Sequence, residues 1–383
     1  MKYILLPLLL ISAITQAKMS ASEISSSSKM SFCIGTNGVN HNESSFQADD
    51  RITLTASDSV SIDTSNCSAA NQEIVKIPYL RNYPLNTEYP EITAAIIAIH
   101  SDGGDPDDIY DTLNKVVNIN NKKLVIAPVF LESSDDNNYH SEEVANMVYW
   151  DMDEEHTNWR IGGRSIAPAN VQISNFQIVD AIIKKIVDKL PNLQTLSIVG
   201  FSAGGQAVQR YSLFNQIDGI LNTSGDKITF RYVVASPATY TYFTEKRYNY
   251  SNKAILEEIS LADKLDCSDN YNRYRYGLEN LDAYPYVANV GVDSEDFKNN
   301  TRNRNRLFVA GENDNSTTTN CRRNLMGVDA PEKGFNYFYH LQVEGVASNA
   351  TYCSVANKSH QVSVLEDSSV LRFIRKGYLI CSK

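Results

Sequence analysis

The chain has 383 residues, 42% apolar and 21% charged, near the globular averages, so a sizeable core can be buried and bulk disorder is excluded. Its net charge of −10 repels phosphate backbones and anionic lipid surfaces, which leaves a nucleic-acid or polybasic membrane role without an electrostatic footprint.

The chain opens on Met1-Lys2, an apolar run from Tyr3 to Ile14 and Thr15-Gln16-Ala17. A positive start, an apolar stretch too short to span a bilayer and a small-residue end predict a signal peptide, residues 1–17, cut after about Ala17, with the mature protein extracellular or periplasmic. No later segment has the apolar length of a transmembrane helix, so stable membrane insertion is not expected. Export favours disulfides for the six cysteines, and the nearest pairs in sequence are Cys33 with Cys67, Cys267 with Cys321 and Cys353 with Cys381. Six cysteines allow 15 pairings, so proximity alone leaves the pattern open. None lies in a C-x-x-C motif or beside histidines at ligand spacing, and no metal or other cofactor is expected. Asn42, Asn66, Asn222, Asn249, Asn299, Asn315, Asn349 and Asn357 head N-x-S/T sequons.

Residues 18–75 are rich in Ser, Asn and Asp and hold one alternating stretch, Ile52-Thr-Leu-Thr55; they read as a small disulfide-bridged N-terminal extension with edge strands. From 76 to 383 apolar runs alternate with helical patterns, which predicts an α/β catalytic domain with a mostly parallel sheet flanked by helices. Ala94–His100 and Lys123–Pro128 read as buried strands. Ser174, with Gln177 three residues on, caps a helix whose apolar face carries Phe176, Val179, Ile182, Ile183, Ile186 and Leu190. Thr195–Gly200 is a strand, Gln206–Gln216 a helix, Arg231–Ala235 and Arg306–Ala310 strands, Pro331–Leu341 helical, and Thr351–Ala356 a last strand. Between them, residues 238–305 form a tyrosine-rich insertion with Tyr240, Tyr242, Tyr248, Tyr250, Tyr271, Tyr274, Tyr276, Tyr284 and Tyr286. An insertion of that length reads as a cap over the site, and the alternative for each tyrosine is plain packing.

Chemistry concentrates at Gly200-Phe201-Ser202-Ala203-Gly204, a G-x-S-x-G sequence between a strand and a helix. A sharp strand-to-helix turn lifts the serine hydroxyl clear of the sheet, and small flanking residues let the backbone close that tightly. A hydroxyl needs a base, and the order nucleophile, acid, histidine leaves His340 and His360 after Ser202. His360 follows the last strand in a polar loop and is the expected base, whereas His340 sits in an aromatic helical stretch. Asp314, after Arg306–Ala310, is the expected acid and Glu312 its rival; Asp263 and Asp266 read as solvated. The amide of Ala203, with backbone N–H groups at Asp102 or Gly103, is placed to hold an oxyanion, and His100 reads as a residue that shapes this loop.

These pieces resemble the α/β-hydrolase superfamily, and specifically an incompletely characterised group of secreted bacterial and fungal serine hydrolases. The likeness spans roughly residues 76–362 and rests on Pro78–Pro84, Ile99-His100, Asn158–Gly162, Val199–Gln206, Tyr232–Pro237, Tyr271–Leu278 and Gly311–Cys321. It implies Ser202, Asp314 and His360 as a triad and a Cys267–Cys321 bridge across the cap. That group carries His-Gly where this chain has His100-Ser101, and Ser101 is expected to supply the same backbone N–H. The expected activity is hydrolysis of a small-molecule or polymer carboxylic ester through an acyl-enzyme. A peptidase or acyltransferase on the same residues, and a non-catalytic binding protein on a hydrolase scaffold, are the alternatives.

Overall fold

The computed structural model describes most of residues 72–377, with side chains from residue 77, together with short strands before residue 62; the longest gaps are 133–147 and 168–172. The leader and the side chains of Cys33, Cys67 and Cys381 lie outside the described residues. Nine strands form one sheet: β1 (Ser28–Gly35), β2 (Val60–Ser61), β3 (Gln72–Arg81), β4 (Ala94–Ile99), β5 (Lys123–Pro128), β6 (Thr195–Phe201), β7 (Thr229–Ala235), β8 (Asn305–Gly311) and β9 (Ala350–Val355). Their spatial order is β9-β8-β7-β6-β4-β5-β3-β1-β2. The stretch from β9 to β5 is parallel, and β3, β1 and β2 extend it as antiparallel edge strands.

Five helices cover the sheet: α1 (Asp107–Val117), α2 (Asn175–Lys189), α3 (Ala203–Phe214), α4 (Ala330–Val343) and α5 (Ser368–Lys376). The chain leaves β4 for β5 on one side, then returns past β4 to β6 on the other. Right-handed crossovers in opposite directions place α1 and α2 on opposite faces. The two cores record this. Ile97, Leu196 and Ile198 pack with Ile178, Ile182 and Val208 of α2 and α3, whereas Ile96, Ala98 and Val199 pack with Ile109, Leu113, Phe373 and Ile374 of α1 and α5. Strand residues alternate between these cores, as a pleat with period two requires. The reversal of strand order leaves a crevice between the carboxyl ends of β4 and β6, where open α/β sheets bind ligands.

The expected strands fall within one or two residues of those observed, and α2 has the full capping box, with Ser174 Oγ accepting from Phe176 N and Gln177 Oε1 from Ser174 N. Helices α1 and α5 are additions to the sequence reading. Their signals were short: Asp107 and Asp108 in one first turn, and an Asp367 cap with Gly377 beyond the far end of the other. Tyr240, Tyr242, Tyr248, Tyr271, Tyr274, Tyr276, Tyr284 and Tyr286 are all buried, so these tyrosines serve packing. Cys267 and Cys321 are bridged, with Cα atoms 5.5 Å apart. Cys353 is also disulfide-bonded, to a partner outside the described side chains. Among the described residues no helix is long and apolar enough to cross a membrane.

Two buried polar clusters tie these elements together. Arg304, just before β8, donates from Nη1 to the carbonyls of Ser212 and Leu213 at 2.8 Å each, reaches the Asn215 carbonyl, and sets Nε 2.7 Å from Asp218 Oδ2. It thereby satisfies carbonyls that the end of α3 leaves without helical partners. Asp180 of α2 accepts from Tyr211 Oη at 2.5 Å and Tyr286 Oη at 2.9 Å. Burial pushes its carboxyl up to about 7, against the lowering pull of those hydroxyls and Lys184.

Arg304→Met strands a buried carboxylate and opens the end of α3, and a loss of about 3–5 kcal/mol is expected in urea unfolding. Asp180 ionises at about pH 4 when the chain is unfolded. The folded chain therefore holds an extra proton between there and about pH 7. This contribution to stability is complete below that window and is lost as pH rises through it. Asp180→Asn is expected to remove a negative slope of up to about 1.4 kcal/mol per pH unit from stability measured across it.

Candidate active site

Ser202 stands between the end of β6 and the start of α3 with φ 54° and ψ −110°, a backbone state that non-glycine residues rarely adopt. Its neighbours over-determine it. The Ser202 N–H donates to the Ala235 carbonyl at 2.8 Å, and the Ser202 carbonyl accepts from Gln206 N at 3.0 Å. The turn closes because side chains are missing where the backbones meet: a Cβ on Gly204 would lie 2.1 Å from the Ile99 carbonyl oxygen, and one on Gly200 would lie 2.2 Å from that of Gly204. Since Ile99 ends β4, the same contact fixes the start of α3 against the loop that follows β4.

The ends of β8 and β9 bring in two further groups. Asp314 follows β8 in a turn whose N–H donates to the Gly311 carbonyl at 3.0 Å, and Asn313 N donates to the Lys358 carbonyl at 2.7 Å, which binds this loop to the one bearing His360. His360 Nδ1 is 2.8 Å from Asp314 Oδ2, and its Nε2 is 3.1 Å from Ser202 Oγ. Ser316 Oγ donates to the other carboxylate oxygen at 2.7 Å. Asp314 is fully buried. Burial would raise its pKa, but the hydrogen bonds from His360 and Ser316 and the attraction of the imidazole outweigh this and hold the carboxyl below its usual range. An ionised Asp314 demands a proton on Nδ1, which leaves Nε2 to accept from the serine hydroxyl. Phe201 supports the imidazole, with ring centroids 4.9 Å apart.

The other histidines have different work. His340 is buried and its Nε2 accepts from Phe243 N at 3.0 Å; burial, with Arg247 and Lys246 nearby, holds its pKa well below the usual value. His100, at the end of β4, accepts from Phe130 N through Nε2 at 2.9 Å, so Nδ1 carries the proton and donates to the Ser101 carbonyl at 2.6 Å. It packs on Trp159 at 5.0 Å. This clamps the loop that holds Asp102 and Gly103. Ser101 is not among the described residues with positive φ; Gly103, at 90°, takes the turn instead, so a serine fits at 101 without strain. Ala203 opens α3, and its N–H is one of those a helix start leaves without an intrahelical partner. The rival acid Glu312 is exposed and accepts from Asn357 N at 3.3 Å, and Asp263 and Asp266 are exposed, Asp263 pairing with Ser260.

Two contributors were not singled out as site residues by the sequence. Ser316 lies in a run of polar residues, and only the folded loop turns it onto Asp314. Arg160, in a short helical turn with Trp159, binds Asp102 and lies 4.0 Å from Glu132, whose Oε1 also accepts from Trp159 Nε1 at 3.0 Å. The pair joins residues 58 positions apart.

No family model matches the chain, and no curated protein does. Among solved structures it is similar to a poly(3-hydroxybutyrate) depolymerase from Bordetella parapertussis, with a TM-score of 0.51 and 15% identity over 80% of this chain and 88% of that one. It is also similar to poly(aspartic acid) hydrolase-1 from Sphingomonas sp. KT-1, with a TM-score of 0.50 and 15% identity over 79% of this chain and 94% of that one. At this identity the likeness concerns the fold.

Gly204→Ala tests the closure of the turn. The added methyl meets the backbone of Ile99 and His100, so an overpacking cost of about 1–3 kcal/mol is expected in urea unfolding, together with displacement of Ser202 from His360.

Proposed function

We propose that this chain, which has the α/β-hydrolase fold, is a serine hydrolase acting on carboxylic esters through an acyl-enzyme. The observation that supports this most is the hydrogen-bonded series from Ser202 Oγ through His360 to Asp314, at 3.1 and 2.8 Å, built at the ends of three strands. Ser202 attacks the substrate carbonyl while His360 Nε2 takes its proton. Asp314 keeps the imidazole in the required tautomer and stabilises its charged form. The N–H groups of Ala203 and of Asp102 or Gly103 receive the negative charge that develops on the carbonyl oxygen. His360 then returns its proton to the leaving alcohol, and a water activated by the same nitrogen releases the acid. Arg160 serves this site indirectly, by fixing Asp102 within the donor loop.

The substrate in this reading is a small-molecule or polymer ester, and the similarity to a poly(3-hydroxybutyrate) depolymerase is compatible with either size. The reading also takes residues 1–17 as an export leader, 18–75 as an N-terminal extension and about 238–305 as a cap over the site.

A fluorophosphonate probe is expected to label the wild-type protein, and Ser202→Ala to abolish both labelling and turnover of p-nitrophenyl butyrate. Asp314→Asn is expected to lower kcat by about 10⁴-fold, since the amide favours the wrong tautomer. Undiminished labelling of Ser202→Ala would assign the chemistry to another serine.

A further inference from the structure

Two arginines lie against one tyrosine ring beyond the triad, and a third adjoins one of them in sequence. The Arg322 guanidinium carbon lies 4.7 Å from the Tyr276 ring centroid and that of Arg275 lies 5.5 Å from it, with Arg275 Nη2 3.5 Å from the Tyr276 hydroxyl oxygen. Arg323 is the next residue along. All three arginines are half-buried, and among the described residues no carboxylate lies within 4.0 Å of any of them. The neighbouring cation Arg160 is paired, with Asp102 and Glu132. Unmatched like charges in a partly desolvated place repel one another, and an anion between them relieves the cost. Tyr276 senses the same field: burial alone would raise its pKa, yet Arg275, Arg322 and Arg323 hold it below the usual value. Such a concentration runs against a chain with 45 acidic and 35 basic residues.

The cluster is wired to the site. The Arg275 carbonyl accepts from Arg210 Nη2 at 2.9 Å, and Arg210 lies on α3, the helix that Ser202 begins. Tyr274 Oη donates to the Ile161 carbonyl at 2.7 Å, in the turn from which Arg160 reaches the loop after β4. Arg322 and Arg323 lie on the short helix Cys321–Asn324, which follows the Asp314 loop, and the Cys267–Cys321 bridge ties that helix to the tyrosine-rich segment. The arginines are thus tied through backbone contacts and the disulfide to both the oxyanion-loop side and the acid-loop side of the site.

Resting on the hydrolase reading above, we propose that Arg275, Arg322 and Arg323 form an anion subsite that selects ester substrates bearing a free carboxylate. Planar guanidinium forks match a carboxylate in charge and in geometry, and the disulfide and the Arg210 contact hold two of them in place before substrate arrives. The subsite binds without a chemical step; the ester is cleaved at Ser202.

The test compares p-nitrophenyl pentanoate with the p-nitrophenyl monoester of glutaric acid, which has the same acyl length and a terminal carboxylate. The full-length oxidised protein is expected to favour the acidic ester, and Arg322→Gln and Arg275→Gln each to lower the ratio of the two kcat/KM values by about tenfold or more. A ratio is insensitive to the fraction of folded enzyme. Ratios unchanged in both variants, or a wild type that prefers the neutral ester, overturn the subsite. Turnover of neither ester by wild type counts against the hydrolase reading instead. Calorimetric titration with glutarate then decides the subsite: binding that Arg322→Gln abolishes supports it, and no binding to wild type overturns it.

Discussion

The backbone of Ser202 is the constraint on which the site depends. A serine at φ 54° costs on the order of 1–3 kcal/mol against an ordinary turn, so the surroundings must supply at least that much. They do so from both ends of α3. At its start, two glycines let α3 close onto β4 and β6, and hydrogen bonds at the Ser202 amide and carbonyl fix the peptide. At its far end, Arg304 holds the last carbonyls and is itself neutralised by Asp218. The helix cannot slide to relax the serine without breaking one set of contacts or the other.

Three of the described histidines, His100, His340 and His360, show how environment decides the use of one side chain. His340 is sealed among aromatic rings and kept neutral by burial, so it packs and accepts a single backbone hydrogen bond. His100 has both ring nitrogens engaged by backbone and acts as a fixed clamp on the loop after β4. His360 alone among them meets an ionised carboxylate on one nitrogen and a hydroxyl on the other. That difference comes from where β8 and β9 end, since the backbone bond from Asn313 to Lys358 locks the two loops in register.

The tyrosine-rich segment joins the core through polar contacts as well as apolar ones. Tyr286 reaches Asp180, Tyr274 reaches the Ile161 carbonyl, and Arg247 lies 4.2 Å over the Tyr242 ring while donating to the carbonyls of Tyr271 and Tyr276. Buried hydroxyls and guanidiniums are tolerated where backbone carbonyls or carboxylates satisfy them, and such networks specify one packing of the segment on the helices beneath. This is how a polar insertion without strong periodicity becomes ordered: its aromatic faces bury area, and polar tips such as those of Tyr274 and Tyr286 find partners.

Local chemistry written in the residues determined much of this protein. The alternation of apolar runs with helical patterns dictated a parallel sheet covered by helices, Ser174 and Gln177 dictated the start of α2, and Gly200 to Gly204 dictated a sharp turn at a serine, because each depends on neighbours a few positions away. The order of strands and polar loops was enough to single out Asp314 and His360 as partners that the fold brings to Ser202. Tertiary structure alone decided that Ser316 and Arg160 support the site, that the tyrosines go inward and that Arg275 and Arg322 share one ring. Those facts depend on contacts between residues tens of positions apart, whose meeting is set by the twist of the sheet and the closure of loops and leaves no periodic trace along the chain.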